Sequence, residues 1–502
     1  MTRTIRSAIS FLVAAASLAQ DPLPPIIRVT TRLVQLSVIV HDRKGQPVSD
    51  LKKEDFKLFD RGKEQTVATF ALDVSDASSK PAPKLPPNIF SNRVQGAGVS
   101  TSVTAILFDT LNTKISDQAN ARAQLIKFMH QVRPDDHIAL YRLGRDGISI
   151  LHDFTDDTDH LRSVLEKLRA TQPTGRMGPP SDPYVVVGAE FLGPNSDAIE
   201  ESMLDSGDLF RSAAQGMVEL SRHLAAIPGR KNLVWISGSF PLVPGLGSTI
   251  SVYPIDARGI MDAPATPISQ HPGYVPQQHV TPPYLEAMQL VAQRTGGRAF
   301  FNRNDIDNGI RTAIDDARLT YRIGFYSSSE DWDSKFHELK VKVKRSGLEV
   351  RHRAGYLASP LQPLTPSTLD AEIAGQIASP LDSAAVGINA RTDIVDKPNP
   401  GTLMVTLQIT PEDLYLQQKG DRWIGNLELV FAQLAAGGKA LARIDQTVAL
   451  NLTQSHYDDT FKRGMIMYKS IELDKGAEAV RVVVLDRSTG NIGSLRIPVR
   501  AK

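Results

Sequence analysis

The spacing of apolar residues along this chain changes period twice, and each change marks a different kind of structure. From Val29 to Val40 the residues are β-branched and threonine-rich, and Leu36, Val38 and Val40 alternate with Ser37 and Ile39. A turn at Asp42-Arg-Lys-Gly-Gln-Pro47 follows, then Phe56 to Phe59, a second turn at Asp60-Arg-Gly62, and Gln65 to Phe70. A period of two broken by turn residues predicts short antiparallel strands over 27–74. Residues 75–100, rich in Ser, Pro, Ala and Gly, read as a linker.

Over 101–318 strands alternate with helices. The apolar run ending at Asp109 reads as a buried strand, and Leu125, Phe128, Met129 and Val132 recur at helical spacing after it. Two short strands, His137 to Leu143 and Ile148 to Phe154, flank Gly144-Arg-Asp-Gly147 as a hairpin. A helix carrying Leu161, Val164, Leu165 and Leu168 comes next, then a proline- and glycine-broken insertion over 171–200. Further helices are predicted over Leu209 to Ala226, from Thr281-Pro-Pro to Gly296, and through Ile306, Ile310 and Ile314. Strands are predicted at Asn232 to Ser237, Ile250 to Ile255 and Arg298 to Phe301. Such alternation requires parallel pairing with right-handed crossovers, hence a doubly wound α/β sheet.

The period then returns to two. In 320–357, lysines alternate with Leu339, Val341 and Val343, as on a half-exposed sheet. The strands here and in 27–74 are too few to stand separately, so the two groups are expected to pair as a β-sandwich around the inserted α/β unit. A Pro/Ser-rich stretch over 359–380 reads as a second linker. In 381–502, Leu403, Val405, Leu407 and Ile409 alternate, as do Trp423, Leu427, Leu429 and Phe431, predicting a C-terminal β-sandwich domain.

Composition narrows the partners. Lys plus Arg is 57 and Asp plus Glu is 55 in 502 residues, so no charge excess points to nucleic acid. Arg3 and Arg6 precede the apolar run Ala8 to Ala19, with Ser17 and Ala19 placed for cleavage before Gln20. Residues 1–19 therefore read as a signal peptide, and the mature chain as exported, periplasmic or secreted, with no transmembrane segment. Cysteine is absent, which excludes disulfides and thiolate chemistry.

The strand Val103 to Asp109 delivers a carboxylate to the carboxyl edge of its sheet, where open α/β sheets bind ligands, and Thr110, Asn112 and Thr113 follow at once. Oxygen-rich clusters of this kind suit a hard divalent cation. Several segments together carry a resemblance: Val48-Ser-Asp-Leu-Lys-Lys-Glu-Asp-Phe56, Leu107-Phe-Asp-Thr-Leu-Asn-Thr113, His152-Asp-Phe-Thr-Asp156, Pro228-Gly-Arg-Lys-Asn-Leu-Val-Trp-Ile-Ser237, Tyr253-Pro-Ile-Asp-Ala-Arg-Gly259 and Val350-Arg-His-Arg-Ala-Gly-Tyr356. From about Arg28 to Tyr356 the chain resembles bacterial exported proteins related to the von Willebrand factor A domain.

That resemblance implies a doubly wound, Rossmann-like domain flanked by β-sandwiches, and a metal-ion-dependent adhesion site holding Mg²⁺ or Mn²⁺. Carried over by position, Asp109 and Thr113 match metal ligands, and the second-loop threonine falls on Thr171, Thr174 or Ser206. Leu111 stands where the middle serine is expected and Gly238 where a second carboxylate is expected, so the site is degenerate. Asp256, at the end of its own strand, reads as a turn residue paired with Arg258.

The eleven histidines form no His-x-x-x-His pattern, and Trp235-Ile-Ser-Gly-Ser239 lacks the geometry of a hydrolase nucleophile. The expectation is a non-enzymatic protein that binds an unidentified protein partner through Asp109, Asn112, Ser237 and Ser239, with any cation weakly held. The alternatives are an envelope hydrolase bringing Ser237, His152 and an aspartate together, and a scaffold in which the fold is only structural.

Overall fold

The structure, a computed structural model, describes residues 32–74, 85–93, 102–133, 136–155, 158–168, 211–224, 227, 229–240, 250–260, 283–327, 332–359, 364–395 and 401–499. It is mixed α/β, with strands gathered in several sheets. Strands β1 (Arg32–His41), β2 (Phe56–Asp60), β3 (Lys63–Gln65) and β4 (Thr69–Val74) come first, followed by β5 (Ile89–Ser91). The central unit then runs β6 (Ser102–Asp109), α1 (Ile115–Met129), β7 (Ile138–Gly144), β8 (Gly147–Thr155), α2 (Thr158–Lys167), the helical residues 211–224 (α3), β9 (Arg230–Ser237), β10 (Ile250–Asp256), α4 (Pro283–Thr295) and α5 (Ile306–Arg318).

After it come β11 (Leu319–Ser327), β12 (Phe336–Val343), β13 (Glu349–Arg351) and β14 (Gly355–Leu357). The remainder is α6 (Pro366–Ala378), β15 (Ile388–Val395), β16 (Thr402–Ile409), β17 (Gln417–Lys419), β18 (Arg422–Leu434), β19 (Ala440–Thr453), α7 (Gln454–Arg463), β20 (Met465–Glu472), β21 (Ala479–Asp486) and β22 (Ile492–Pro498).

The central sheet has the order β10-β9-β6-β7-β8. Its first four strands are parallel, and β8 closes the edge as the antiparallel arm of a hairpin. All eight residues of β6 are buried because helices cover both faces. The two-residue period divides them: Val103, Ala105 and Leu107 enter a core with α3 and α4, whereas Ile106 and Phe108 enter one with α1, α2 and α5. Each fully buried aliphatic side chain contributes roughly 1.5–3 kcal/mol, which is why this strand and its terminal residue are held firmly. The stretch from Arg298 to Phe301 makes only a single parallel bridge, Ile255 to Phe300, rather than a strand.

Strands from either side of the central unit interleave in two sheets, β13-β1-β11-β4 and β14-β12-β2-β3, around one core that includes Leu36, Val38, Leu58, Tyr321 and Leu339. A chain of buried polar groups joins this core to the central unit. Arg230 donates to Tyr253 Oη (3.0 Å) and to the Gly296 carbonyl (2.8 Å), Tyr253 donates to Asp316 (2.8 Å), and Arg351 ion-pairs with Asp316 from β13. Arg230, Tyr253 and Arg351 come from three of the six segments quoted for the resemblance, and they meet here at the junction.

The C-terminal sheets are β20-β16-β15-β5 and β17-β18-β21-β22, with β19 on the other side of β18. Two segments read as linkers differ from that reading. Within 75–100, β5 pairs with β15, Ser91 opposite Asn389, and Asn92 donates to the Ser383 and Val386 carbonyls. Within 359–380, α6 forms behind a Thr365 cap and covers the outer face of β21 with Leu369 and Ile373. Proline-rich composition disfavours long elements, but it does not prevent a three-residue strand or a helix with proline at its first position. The C-terminal unit also meets α3, where Arg222 ion-pairs with Glu372 (2.8 Å) and His223 Nδ1 donates to the Asp382 carbonyl (2.8 Å). Among the described residues, no helix is long and apolar enough to cross a membrane. Residues 1–19 lie outside the described residues.

Candidate functional site

Asp109 is the last residue of β6, and parallel pairing sets it beside the end of β9. Past it the chain turns sharply, with the Thr110 and Leu111 amides both donating to the Leu143 carbonyl (2.9 and 3.2 Å). Leu111 then points into the core shared with Trp235 and Phe240 and is 3% exposed. The leucine at the expected serine position therefore has a packing role, since it anchors the loop that a ligand side chain would leave open.

The Asp109 carboxylate accepts five hydrogen bonds. Oδ1 takes the Leu111 amide (3.0 Å) and the Asn112 amide (2.9 Å), an Asx turn. Oδ2 takes Asn112 Nδ2 (2.9 Å), Trp235 Nε1 (3.1 Å) and Ser237 Oγ (2.8 Å). Trp235 and Ser237 lie two residues apart on one face of β9, so both reach the same oxygen. Burial pushes the Asp109 pKa up, and the hydrogen bonds from Asn112, Ser237 and Trp235 pull against it. The other residues are also committed. Thr113 Oγ1 accepts from the Gly238 amide (3.0 Å), and Gln118 donates to the Thr113 carbonyl (2.7 Å).

A cation fits this arrangement poorly. An oxygen that ligates Mg²⁺ needs a lone pair directed at the ion, whereas both oxygens here face N–H and O–H hydrogens. The second carboxylate cannot be recovered locally. A Cβ on Gly238 would come within 3.0 Å of the Asn112 carbonyl oxygen and 3.4 Å of Thr113 Cα, because the loop fills that space. Thr171, Thr174 and Ser206 lie outside the described residues. Among the described residues, no group of three or more His, Asp or Glu side chains is placed to hold a metal ion.

Asp109 and Ser237 are 1% and 0% exposed, so the expectation that they form part of an exposed surface is corrected: both are buried. Asn112 and Ser239 are partly exposed and remain at the rim. Lys114 ends the same loop and Ser116 lies in the first turn of α1, and Arg145 of the β7-β8 turn is exposed at the same end of the sheet. Asp256 is held bidentately by Arg258 (both contacts 2.8 Å), closing its side of the edge.

Ser237 and His152 are not brought together. The Ser237 hydroxyl lies against Asp109 and the Ser239 carbonyl (2.7 Å), while His152 Nδ1 donates to the Asp153 carbonyl (2.6 Å) and its ring packs edge-on against His160, 4.7 Å between centroids. His137 sits just before β7, at the other end of that strand from the Asp109 edge. Among the described residues, one cleft lies between the turns at 42–50 and 345–348 and another between α4 and β13, and neither includes a residue of the Asp109 edge.

Trp235 is the partner of Asp109 that sequence reading missed, because the indole reads as core from its apolar neighbours. Comparison with protein-family models and with curated proteins gives no match to this chain.

Proposed function

We propose that this protein is an exported, non-enzymatic binding protein of von Willebrand factor A type, recognising a protein partner at the carboxyl edge of its central sheet without a bound cation. The observation that carries this reading is the saturated Asp109 carboxylate. It ties the ends of β6 and β9 and the 110–113 loop into one rigid platform, and its five donors occupy the positions that metal coordination would need. Rigid scaffolds that present loops at a sheet edge are suited to recognition. The hydrolase alternative loses support because the Ser237 hydroxyl is paired with a buried carboxylate, with no imidazole among its hydrogen-bond partners.

Two measurements test the reading. Calorimetric titration with Mg²⁺ and with Mn²⁺ is expected to give no binding heat, and heat that disappears in Asp109→Ala would overturn the cation-free version. A photo-cross-linking residue at Ser239 is expected to capture a partner in the native envelope, whereas one at Lys342, on the half-exposed face of β12, is not. Equal capture at both positions would remove the sheet edge as the recognition surface.

A further inference from the structure

The two sides of the C-terminal sandwich are treated differently. On one side, the outer edge of β22 is covered by residues 383–386, through Val386 N to Ile492 O (3.2 Å), Ser494 N to Ser383 O (2.7 Å) and a bridge between Ala384 and Gly493. On the other side, among the described residues β19 pairs only with β18 and β20 only with β16, and a contact between Lys469 and Gln446 (3.4 Å) sets these two edges next to each other. Among the described residues, no strand pairs with the outer edge of β19 over its 14 residues. Long edges are normally protected by proline, by lysines or by being short. In β19 there is no proline and no lysine, and its only charges are Arg443 and Asp445.

We propose that β19 pairs antiparallel with β19 of a second copy of this chain, about a two-fold axis through Ile444. The charges select this occupant and this register. Residues opposite one another in a continuous sheet must lie on the same face, so the axis must pass through a residue position. An axis through Arg443 sets that arginine against its own copy, and one through Asp445 sets two aspartates together. The axis through Ile444 places Arg443 opposite Asp445 of the second copy, twice, and aligns residues 442–446 of both chains, short of the bulge at Leu441 in the β18-β19 pairing. Both side chains stand on the exposed face of the strand, where in one chain Arg443 Nε already lies 2.6 Å from Asp445. The paired segment leaves out the far end of β19, where α7 begins and Tyr457 stacks on Trp423 (4.1 Å).

Sedimentation or light scattering of the purified protein across the micromolar range tests the pairing. The expected result is a dimer. Arg443→Asp and Asp445→Arg should each weaken it by about tenfold or more, because each sets like charges opposite one another twice, and the combined exchange should restore it. Because both positions are exposed, the variants should keep the circular dichroism and unfolding temperature of the parent. In a chain without cysteine, Ile444→Cys should give a covalent dimer with a short bismaleimide, whereas Asn451→Cys, outside the paired segment, should not. A parent protein that stays monomeric, or that is captured through β19 only by a different protein, overturns the proposal. A dimer indifferent to both charge reversals also overturns it.

Discussion

Removing the Asp109 carboxylate tests the central claim about the sheet edge, because the structure states what would be left behind. In Asp109→Ala the Asn112 amide and Trp235 Nε1 lose their acceptor, while the Leu111 amide keeps the Leu143 carbonyl. The other two donors have recourse, since Ser237 Oγ keeps the Ser239 carbonyl and Asn112 is partly exposed to water. Each stranded neutral donor costs about 1–3 kcal/mol, so the two together cost about 2–6 kcal/mol. For a unit of this size that lowers the unfolding midpoint by about 4–24 °C. Asp109→Asn keeps Oδ1 for the Asx turn but turns an amide NH2 donor toward the Trp235 donor, and should cost about 1–3 kcal/mol.

Calorimetry and urea unfolding measure these differences, with and without Mg²⁺, which should change neither. The pH dependence carries a sign. A folded-state pKa raised above its ordinary value of 3.8 means that the stability due to Asp109 is present below that value and is lost as pH rises through the folded one. The gap between the parent and Asp109→Asn should therefore narrow with rising pH. An Asp109→Ala penalty below about 1 kcal/mol, or a parent stabilised by Mg²⁺ when the variant is not, would refute the account of Asp109 as a hydrogen-bonded tie.

Other positions give independent tests. Lys231 is buried, donates to the Ile227 carbonyl (2.9 Å), and has its pKa lowered by burial from 10.5 to about 8. Its charged form is disfavoured in the fold, so parent stability should rise between pH 8 and 10.5, and Lys231→Met should flatten that rise while adding up to about 3 kcal/mol at neutral pH. Asn92→Ala removes two bonds to the Ser383 and Val386 carbonyls and one from the Ile388 amide, and should lower the C-terminal unfolding transition by about 2–3 kcal/mol in urea titration. Gly297→Ala would drive a Cβ into the Val252 carbonyl, so a loss of about 3 kcal/mol is expected in thermal unfolding.

Much of the architecture was open to a reader of the sequence, because periodicity records which side of an element is dry. Leu36, Val38 and Val40 share one parity and one core, and Val103, Ala105 and Leu107 part from Ile106 and Phe108 by the same rule. The missing ligands at Leu111 and Gly238 were also legible, since residue type alone tells whether a side chain can coordinate. Ile89 to Ser91 was not legible as a strand, because three residues among prolines carry no period and acquire their identity only from the register of β15.

The sequence by itself determined that an acidic residue ends a buried strand and that two of its expected metal partners are lacking. Only the tertiary structure decided what became of that acid. Leu111 packs into the core, the loop closes over Gly238, and Trp235 and Ser237 bring their hydrogens across from the neighbouring strand. The physical reason is that a buried carboxylate must find either a cation or a full set of donors, and which one it finds depends on distances between strands far apart in the chain.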